Sequence, residues 1–558
     1  MNTKKLIECV PNFSEGNDMN IIRQITDAIE SVDGIKLLNV DPGKATNRTV
    51  VTFVGEPEQV VEAAFLGIKK AAELIDMSKH KGEHPRMGAT DVCPFIPISG
   101  ISMEETVSYS KMLGKRVGEE LGISVFLYES SASDTRWKNL ANIRAGEYEK
   151  MATKLATDEF IPDFGPRSLN IKSGVTAIGG RDFLIAYNVN LNSTSERRAN
   201  SVAFDVREAG RIKTENGKNV LDEKGEPIRI PGVFKGVKGI GWYIAEYGVA
   251  QVSMNITNVN DAPLHKVFEE CCKSADKRGM RVTGSELVGL VPLNVMLDAG
   301  KYFLQKQERS VGVSESEIIK IAIKSMGLDE LGPFDPQKRI IEYMLNDSSN
   351  APLVNMTLSA FADETASESM APGGGSIAAY VGALGVSLGT MVANLSSHKK
   401  GWDERWEEFS IWAEKGQALK SQLLNLVDED TKSFNAIIDA MRLPKATDEE
   451  KTARTEAIQS ATKYAVEVPL TVMERSLQTF EILKAMAQYG NPNSVTDAGV
   501  GALCARAAVY GAFLNVKINI GGLENKIYVE TILKKATKMI ELADAEEKAV
   551  LEIVQSKI

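Results

Sequence analysis

At Gly332-Pro333-Phe334-Asp335-Pro336 the chain changes character, and that change decides the fold. Upstream, short β-rich runs alternate with helical periodicity. Lys36-Leu37-Leu38-Asn39-Val40 and Val50-Val51-Thr52-Phe53-Val54 read as strands bounded by Gly, Pro and Asp. Val60, Ala63, Ala64, Ile68, Ala71, Ala72 and Ile75 recur at helical spacing, and a helix over 103–121 precedes a strand from Ser124 to Tyr128. The alternation pauses at Pro162-Asp163-Phe164-Gly165-Pro166. It resumes with a strand at Phe183 to Val189, an exposed charged insertion at Lys213 to Glu226, a strand at Gln251 to Ile256 and a helix at Ala262 to Lys277. Downstream, strand signals become sparse and Ala-, Leu-, Glu- and Lys-rich helical stretches run to the end. The expectation is a multidomain chain: α/β (α+β) subdomains at 1–180 and 181–330, a linker at 331–350 containing Asp347-Ser348-Ser349-Asn350, and an all-helical domain at 351–558.

The 558 residues exceed what one core organises. With 43% hydrophobic and 25% charged residues, a disordered or fibrous chain is excluded. The net charge of −10 argues against nucleic acid or an anionic membrane as partner, so an anionic ligand needs local cations. Five cysteines (Cys9, Cys93, Cys271, Cys272, Cys504) form no CxxC pair, which fits a reduced, cytoplasmic setting without a zinc knuckle. The start, MNTKKLIECVPNFSEG, lacks a signal-peptide apolar run. Ser376 to Leu395, SIAAYVGALGVSLGTMVANL, is long enough to span a bilayer. Its Ala, Gly, Ser and Thr content instead favours a helix buried by close neighbours.

The densest polar constellation is Asp76-Met77-Ser78-Lys79-His80-Lys81-Gly82-Glu83-His84-Pro85-Arg86-Met87-Gly88, with two of the four histidines. Gly82 and Pro85 make it a loop, and no HExxH pattern is present. A histidine there can accept and return a proton, and Lys79, Lys81 and Arg86 can hold a carboxylate. A solvated basic turn fits the same residues. Asn12-Phe13-Ser14-Glu15-Gly16 and Asp41-Pro42-Gly43 with Thr46-Asn47-Arg48 are polar loops able to join this site, or ordinary turns. In the helical part Leu419, Leu423, Leu426, Val427, Phe434, Ile437, Ile438 and Met441 form a stripe whose gap is filled by Asp430, while Asp428 is expected to face solvent. A carboxyl on a buried stripe has its pKa raised by desolvation, as at active sites, although a structural Asp fits too. Ala371-Pro372-Gly373-Gly374-Gly375-Ser376 presents backbone N–H groups at a helix start, or is a turn with Ser376 as N-cap. Gly490-Asn491 and Thr496-Asp497 admit the same two readings.

These motifs carry a resemblance that runs the length of the chain. ECVPNFSEG, TNRTVVTFVG, IDMSKHKGEHPRMGATDVCPF, IRAGEYE, PDFGP, GIGWY and ELVGLVPL resemble the formiminotransferase domain; PFDPQKRIIEY, APGGGSIAA, LVDED with RLPK, and NVKIN resemble the cyclodeaminase domain. The family resemblance implies transfer of a formimino group from N-formimino-L-glutamate to tetrahydrofolate. Cyclisation to 5,10-methenyltetrahydrofolate with release of ammonia then follows, as a stage of histidine degradation. It further implies His84 as the transferase catalytic residue and Asp430, the second Asp of the DxD, as that of the cyclodeaminase. The folate-binding stretch becomes Gly165-Pro166-Arg167-Ser168-Leu169-Asn170-Ile171-Lys172-Ser173-Gly174. Asp41 is expected to favour the protonated amidine, Arg48, Lys79 and Arg86 to clamp carboxylates, and Gly373, Gly374, Gly375 and Ser376 to meet folate. Tetrahydrofolate, expected as polyglutamate, is then a substrate, with no metal or redox cofactor, no membrane span and a homo-oligomeric assembly. Two alternatives for the helical half are a methenyltetrahydrofolate cyclohydrolase and an assembly module without chemistry.

Overall fold

The computed structural model describes residues 5–44, 46–82, 85–345 and 351–558. The chain forms two compact units, Met1–Val295 with Met326–Leu345, and Met296–Ser325 with Asn346–Ile558.

In the first unit, β1 (Leu6–Cys9), β2 (Asn12–Phe13), β3 (Lys36–Gly43), β4 (Arg48–Gly55), β5 (Thr90–Ser99), β6 (Ser124–Leu127) and β7 (Val175–Gly180) make one mixed sheet. β1 pairs antiparallel with β4 and β5, whereas β7 runs parallel to β5 and β6. Strand alternation sorts the two faces. Ile7, Cys9, Val51, Phe53, Cys93 and Phe95 enter a core shared with the apolar sides of α1 (Met19–Glu30), α2 (Pro57–Leu74) and α3 (Met103–Leu121). α3 begins where Ser102 and Glu105 form a reciprocal capping box. Two shorter helices, α4 (Leu140–Arg144) and α5 (Glu147–Leu155), place Ile143, Met151 and Leu155 around Phe126, Trp137 and Phe160.

A second, four-stranded antiparallel sheet orders the strands Val237–Ile244, Val249–Ile256, β8 (Ile185–Leu191) and Val282–Val288. It carries α6 (Glu196–Val206) and α7 (Leu264–Asp276). The charged insertion is a hairpin, Thr214–Glu215 against Lys218–Asn219.

Two features depart from the expected layout. The stretch expected as linker holds α10 (Pro336–Arg339) and α11 (Ile341–Leu345), because Ile341 is apolar enough to bury beside Leu38 and Val54. The polar run Asp347-Ser348-Ser349-Asn350 lies outside the described residues. Most of α8 (Leu293–Lys306) and α9 (Glu315–Met326) belongs to the second unit. The connection between them is held there by the side-chain amides of Asn394 and Gln417, which donate to the Gly312 carbonyl at 2.8 and 3.1 Å.

The second unit is helical: α12 (Leu358–Thr365), α13 (Gly374–Ser397), α14 (Trp406–Arg442), α15 (Asp448–Tyr489), α16 (Val495–Asn519) and α17 (Lys526–Gln555). By length and composition α13 and the Pro492–Gly522 segment could each cross a membrane. Here α13 packs against α14, α15 and α16. A Cβ on Gly385 would press on the Gly501 carbonyl, so small residues set this helix spacing.

Asp428 was expected at the surface; it is 4% exposed. Its carboxylate accepts the backbone N–H groups of Leu353 and Val354 at 2.8 and 3.2 Å, tying the chain before α12 to α14. The stripe reading failed here because the covering segment is remote in sequence. Conversely Phe434 and Met441, counted as core, are 39% and 50% exposed. Removing a carboxylate that satisfies two amides leaves donors unpaired in the interior. Asp428→Ala should therefore lose about 3 kcal/mol of stability, measured by chemical denaturation, with the denaturation of the first unit unchanged.

Candidate functional site

Three loops expected to be polar converge on Asn47, which adopts a left-handed backbone (φ 45°). Its side-chain oxygen accepts from Gly16 N at 3.0 Å and Asn17 Nδ2 at 2.8 Å, and its Nδ2 donates to the Lys81 carbonyl at 2.8 Å. His80 closes the junction: Nε2 lies 2.9 Å from the Asn47 carbonyl, and Nδ1 accepts from Arg86 Nε at 3.3 Å. The ring is thus a structural link, matching the plainer of the two readings for that histidine. Ser14 adds a hydroxyl bond to the Gly88 carbonyl at 2.7 Å. His84, named by the family resemblance, lies outside the described residues.

Beside these loops the seven-stranded sheet turns its polar face to a cavity of about 450 Å³. Asp41, Val50, Asn12 and Val92 are cross-strand partners, so they form one row along its floor. Lys238, Asn255, Ala186 and Val288 form a matching row on the four-stranded sheet. Arg48 and Arg144 line the same space. Arg144 is anchored by Asp91, fully buried, at 2.6 Å. Burial raises the Asp91 pKa, opposed by Arg144, the Met87 amide and Arg48. Burial likewise pulls Arg48 down, with Asp91 and Asp41 opposing. Asp41 and Arg48 are therefore brought together as expected of a site for a charged small molecule.

Two expected clamps are placed elsewhere. Arg86 is not available to a substrate: its guanidinium bonds Glu147 at 2.9 Å and Glu149 at 2.6 Å and is 9% exposed. Those acids belong to the IRAGEYE motif, whose role the sequence did not reveal. Lys79 pairs with Asp76 at 3.0 Å and its side chain stays 83% exposed. The stretch from Gly165 to Gly174 forms a surface loop seated on the same constellation, with Met77 N donating to the Lys172 carbonyl and Ala89 N to the Ser173 carbonyl. Tyr148 donates to the Ile171 carbonyl at 2.6 Å. Pro166 is held by Ser124 and Arg167 by Asp158, Asn170 caps the turn, Leu169 packs against the cluster of Phe126, Trp137 and Phe160, and Ser168 and Ile171 are exposed. None of these residues lines the cavity.

The second unit carries its own site where α13 begins. Gly373 is the N-cap, so Ser376 falls in the first turn instead of capping it. Its hydroxyl donates to the Val427 carbonyl at 2.8 Å and reaches Asp430 Oδ2 at 3.1 Å. Gly375 leaves the space this carboxylate occupies, since a Cβ there would overlap it. Gly374 lies beside the Asn515 amide, a residue of NVKIN that residue patterns did not single out. Burial raises the Asp430 pKa, partly offset by the Ser376 hydroxyl and backbone N–H. Among the described residues no group of three His, Cys, Asp or Glu is placed to hold a metal ion.

An α/β unit with a charged cavity, joined to a helical unit with a half-buried carboxyl at a glycine-rich helix start, defines a two-site enzyme of small polar substrates. Family models match in chain order: the formiminotransferase domain, N-terminal subdomain, over residues 6–181, the formiminotransferase domain over 186–346, and formiminotransferase-cyclodeaminase over 357–538. The formimidoyltransferase-cyclodeaminase of Rattus norvegicus is 42% identical over 554 residues, 99% of each chain. A glutamate formimidoyltransferase of Streptococcus pyogenes is 40% identical over 54% of this chain and 95% of its own. A methenyltetrahydrofolate cyclohydrolase of Methylorubrum extorquens is 37% identical over 37% of this chain and 98% of its own. The chain belongs to the formiminotransferase-cyclodeaminase family.

Two outcomes follow for the helical site. Gly375→Ala should displace the Asp430 carboxyl and lower turnover in this unit about 100-fold, read in a coupled assay, while the α/β unit keeps its rate. A carboxyl whose pKa is raised on folding favours the native state below its ordinary value, and that contribution is lost as pH rises through the raised value. Asp430→Asn should therefore be more stable than the wild type at neutral pH, the difference vanishing in acid, as followed by thermal melts across pH.

Proposed function

We propose that this chain transfers a formimino group from N-formimino-L-glutamate to tetrahydrofolate in its α/β unit. It then cyclises the 5-formimino product to 5,10-methenyltetrahydrofolate in its helical unit, releasing ammonia. The observation that carries this reading is the 42% identity across 99% of both chains to a formimidoyltransferase-cyclodeaminase, spanning both units. In the first step folate N5 attacks an amidine carbon. Asp41 favours the protonated, more electrophilic amidine, Arg48 takes a carboxylate, and His84 removes the N5 proton. In the second, N10 attacks the same carbon, and Asp430, with its raised pKa, delivers protons to the departing ammonia.

Tetrahydrofolate is thus a substrate and one-carbon carrier, the polyglutamate form being the one proposed, within histidine degradation. Five free thiols support a cytoplasmic setting. Exposed apolar residues at helical spacing on α13 (Leu384, Met391, Leu395) and α16 (Val500, Leu503, Leu514) support a homo-oligomer rather than a membrane span. Similarity of the helical unit to a methenyltetrahydrofolate cyclohydrolase favours one second reading, hydrolysis in place of deamination.

Mixing the protein with formiminoglutamate and tetrahydrofolate separates the readings. Methenyltetrahydrofolate absorbance and ammonia should rise together. His84→Ala should stop glutamate release, and Asp430→Asn should release glutamate without ammonia. Glutamate without ammonia from the wild type would assign the helical unit to hydrolysis or to assembly alone.

A further inference from the structure

Glu8 stands out among the buried charges of the first unit. It occupies β1 between Val54 of β4 and Ile96 of β5, on the face opposite Ile7 and Cys9. It lines the cavity and is 2% exposed. Among the described residues its carboxyl accepts no hydrogen bond and joins no ion pair, unlike Asp91, which holds Arg144 and the Met87 amide. A carboxyl left unpaired in the interior is costly unless a ligand completes it.

The charges facing it come from several elements. Arg181, just after β7, is the nearest cation in effect and spends one N–H on the Asp182 carbonyl at 2.8 Å. Glu342 on α11 opposes it, with one oxygen already bonded by Leu293 N at 2.7 Å. Asp41, Arg48 and Arg144 share the cavity, as do Glu129, which follows β6, and Lys238 of the four-stranded sheet. Burial lifts the Glu8 carboxyl to about 7, Arg181 lowering it and Glu342 raising it. Such a group exchanges its proton at neutral pH.

Arg48, which lines the same chamber, matches a carboxylate of a glutamate derivative, which would set its nitrogen in that chamber with Glu8. Resting on the transferase reading above, we propose that Glu8 is a catalytic acid of formimino transfer, contacting the departing glutamate nitrogen and giving it a proton. As folate N5 bonds to the amidine carbon and yields its own proton to a base, the bond from that carbon to the glutamate nitrogen breaks. The nitrogen keeps the bonding pair and takes the Glu8 proton. The carboxylate regains a proton from water, and the proton taken from N5 returns to solvent, so one N–H replaces another overall.

The test uses the full chain with Glu8→Gln and Glu8→Asp, following glutamate release against pH at saturating tetrahydrofolate. Glu8→Gln should lower kcat about 100-fold or more with little change in KM for formiminoglutamate, and should lose the inflection near neutral pH. Glu8→Asp should restore part of the rate. Both variants should still deaminate supplied 5-formiminotetrahydrofolate at the wild-type rate, which separates a lost proton donor from a lost fold. An unchanged kcat and pH profile in Glu8→Gln would overturn the inference. So would a raised KM alone, which would make Glu8 a partner of the amidinium cation. A wild type that releases no glutamate would instead overturn the transferase reading, and this inference with it.

Discussion

Charge withdrawn from water must be compensated, and how each buried charge is compensated separates structure from chemistry in this protein. Asp91 holds Arg144, Arg86 is gripped by Glu147 and Glu149, and Asp428 collects two backbone amides. Those groups are matched by the protein itself and fix loops and helices in place. Glu8 and Asp430 are matched incompletely, and burial pushes both of their pKa values upward. Each unit thus keeps one incompletely matched carboxyl, one on a strand and one on a helix.

The scaffold that permits this differs between the units. In the α/β unit, strand alternation alone puts aromatic and aliphatic side chains under the helices and Glu8, Asn12, Asp41 and Arg48 on the opposite face. Loop geometry then closes the rim, with the Asn47 side chain making three bonds to two other segments, at Gly16-Asn17 and at Lys81. In the helical unit, small residues do the equivalent work. The close approach of α13 to α16 at Gly385 and Gly501, and the bare Gly375, bring a helix N-terminus onto Asp430.

Much of this was legible in the residues. The change near Gly332, the strands and helices flanking it and the gap in the Leu419–Met441 stripe all follow from periodicity, a local property of the chain. Asp430 was selected by that gap; it is half-buried, with its pKa raised by desolvation. Asp428 was misread by the same rule, because Leu353 and Val354 reach it from 75 and 74 residues away. Arg86 was misread as a free cation because its acids lie more than 60 residues downstream. Glu8 stands in the ECVPNFSEG motif but was not among the expected site residues, since one acidic residue in a short strand carries no pattern of its own.

By itself, then, the sequence determined the two-part architecture, the family and the loops and helix that carry the polar motifs, because each of these depends on neighbours within a few turns or strands. Only the tertiary structure decided which charged side chains are satisfied and which face a cavity unpaired. That distinction rests on distances and burial created by segments far apart in the chain. Local pattern contains no term for them, because desolvation and ion pairing depend on what surrounds a charge and not on what precedes it.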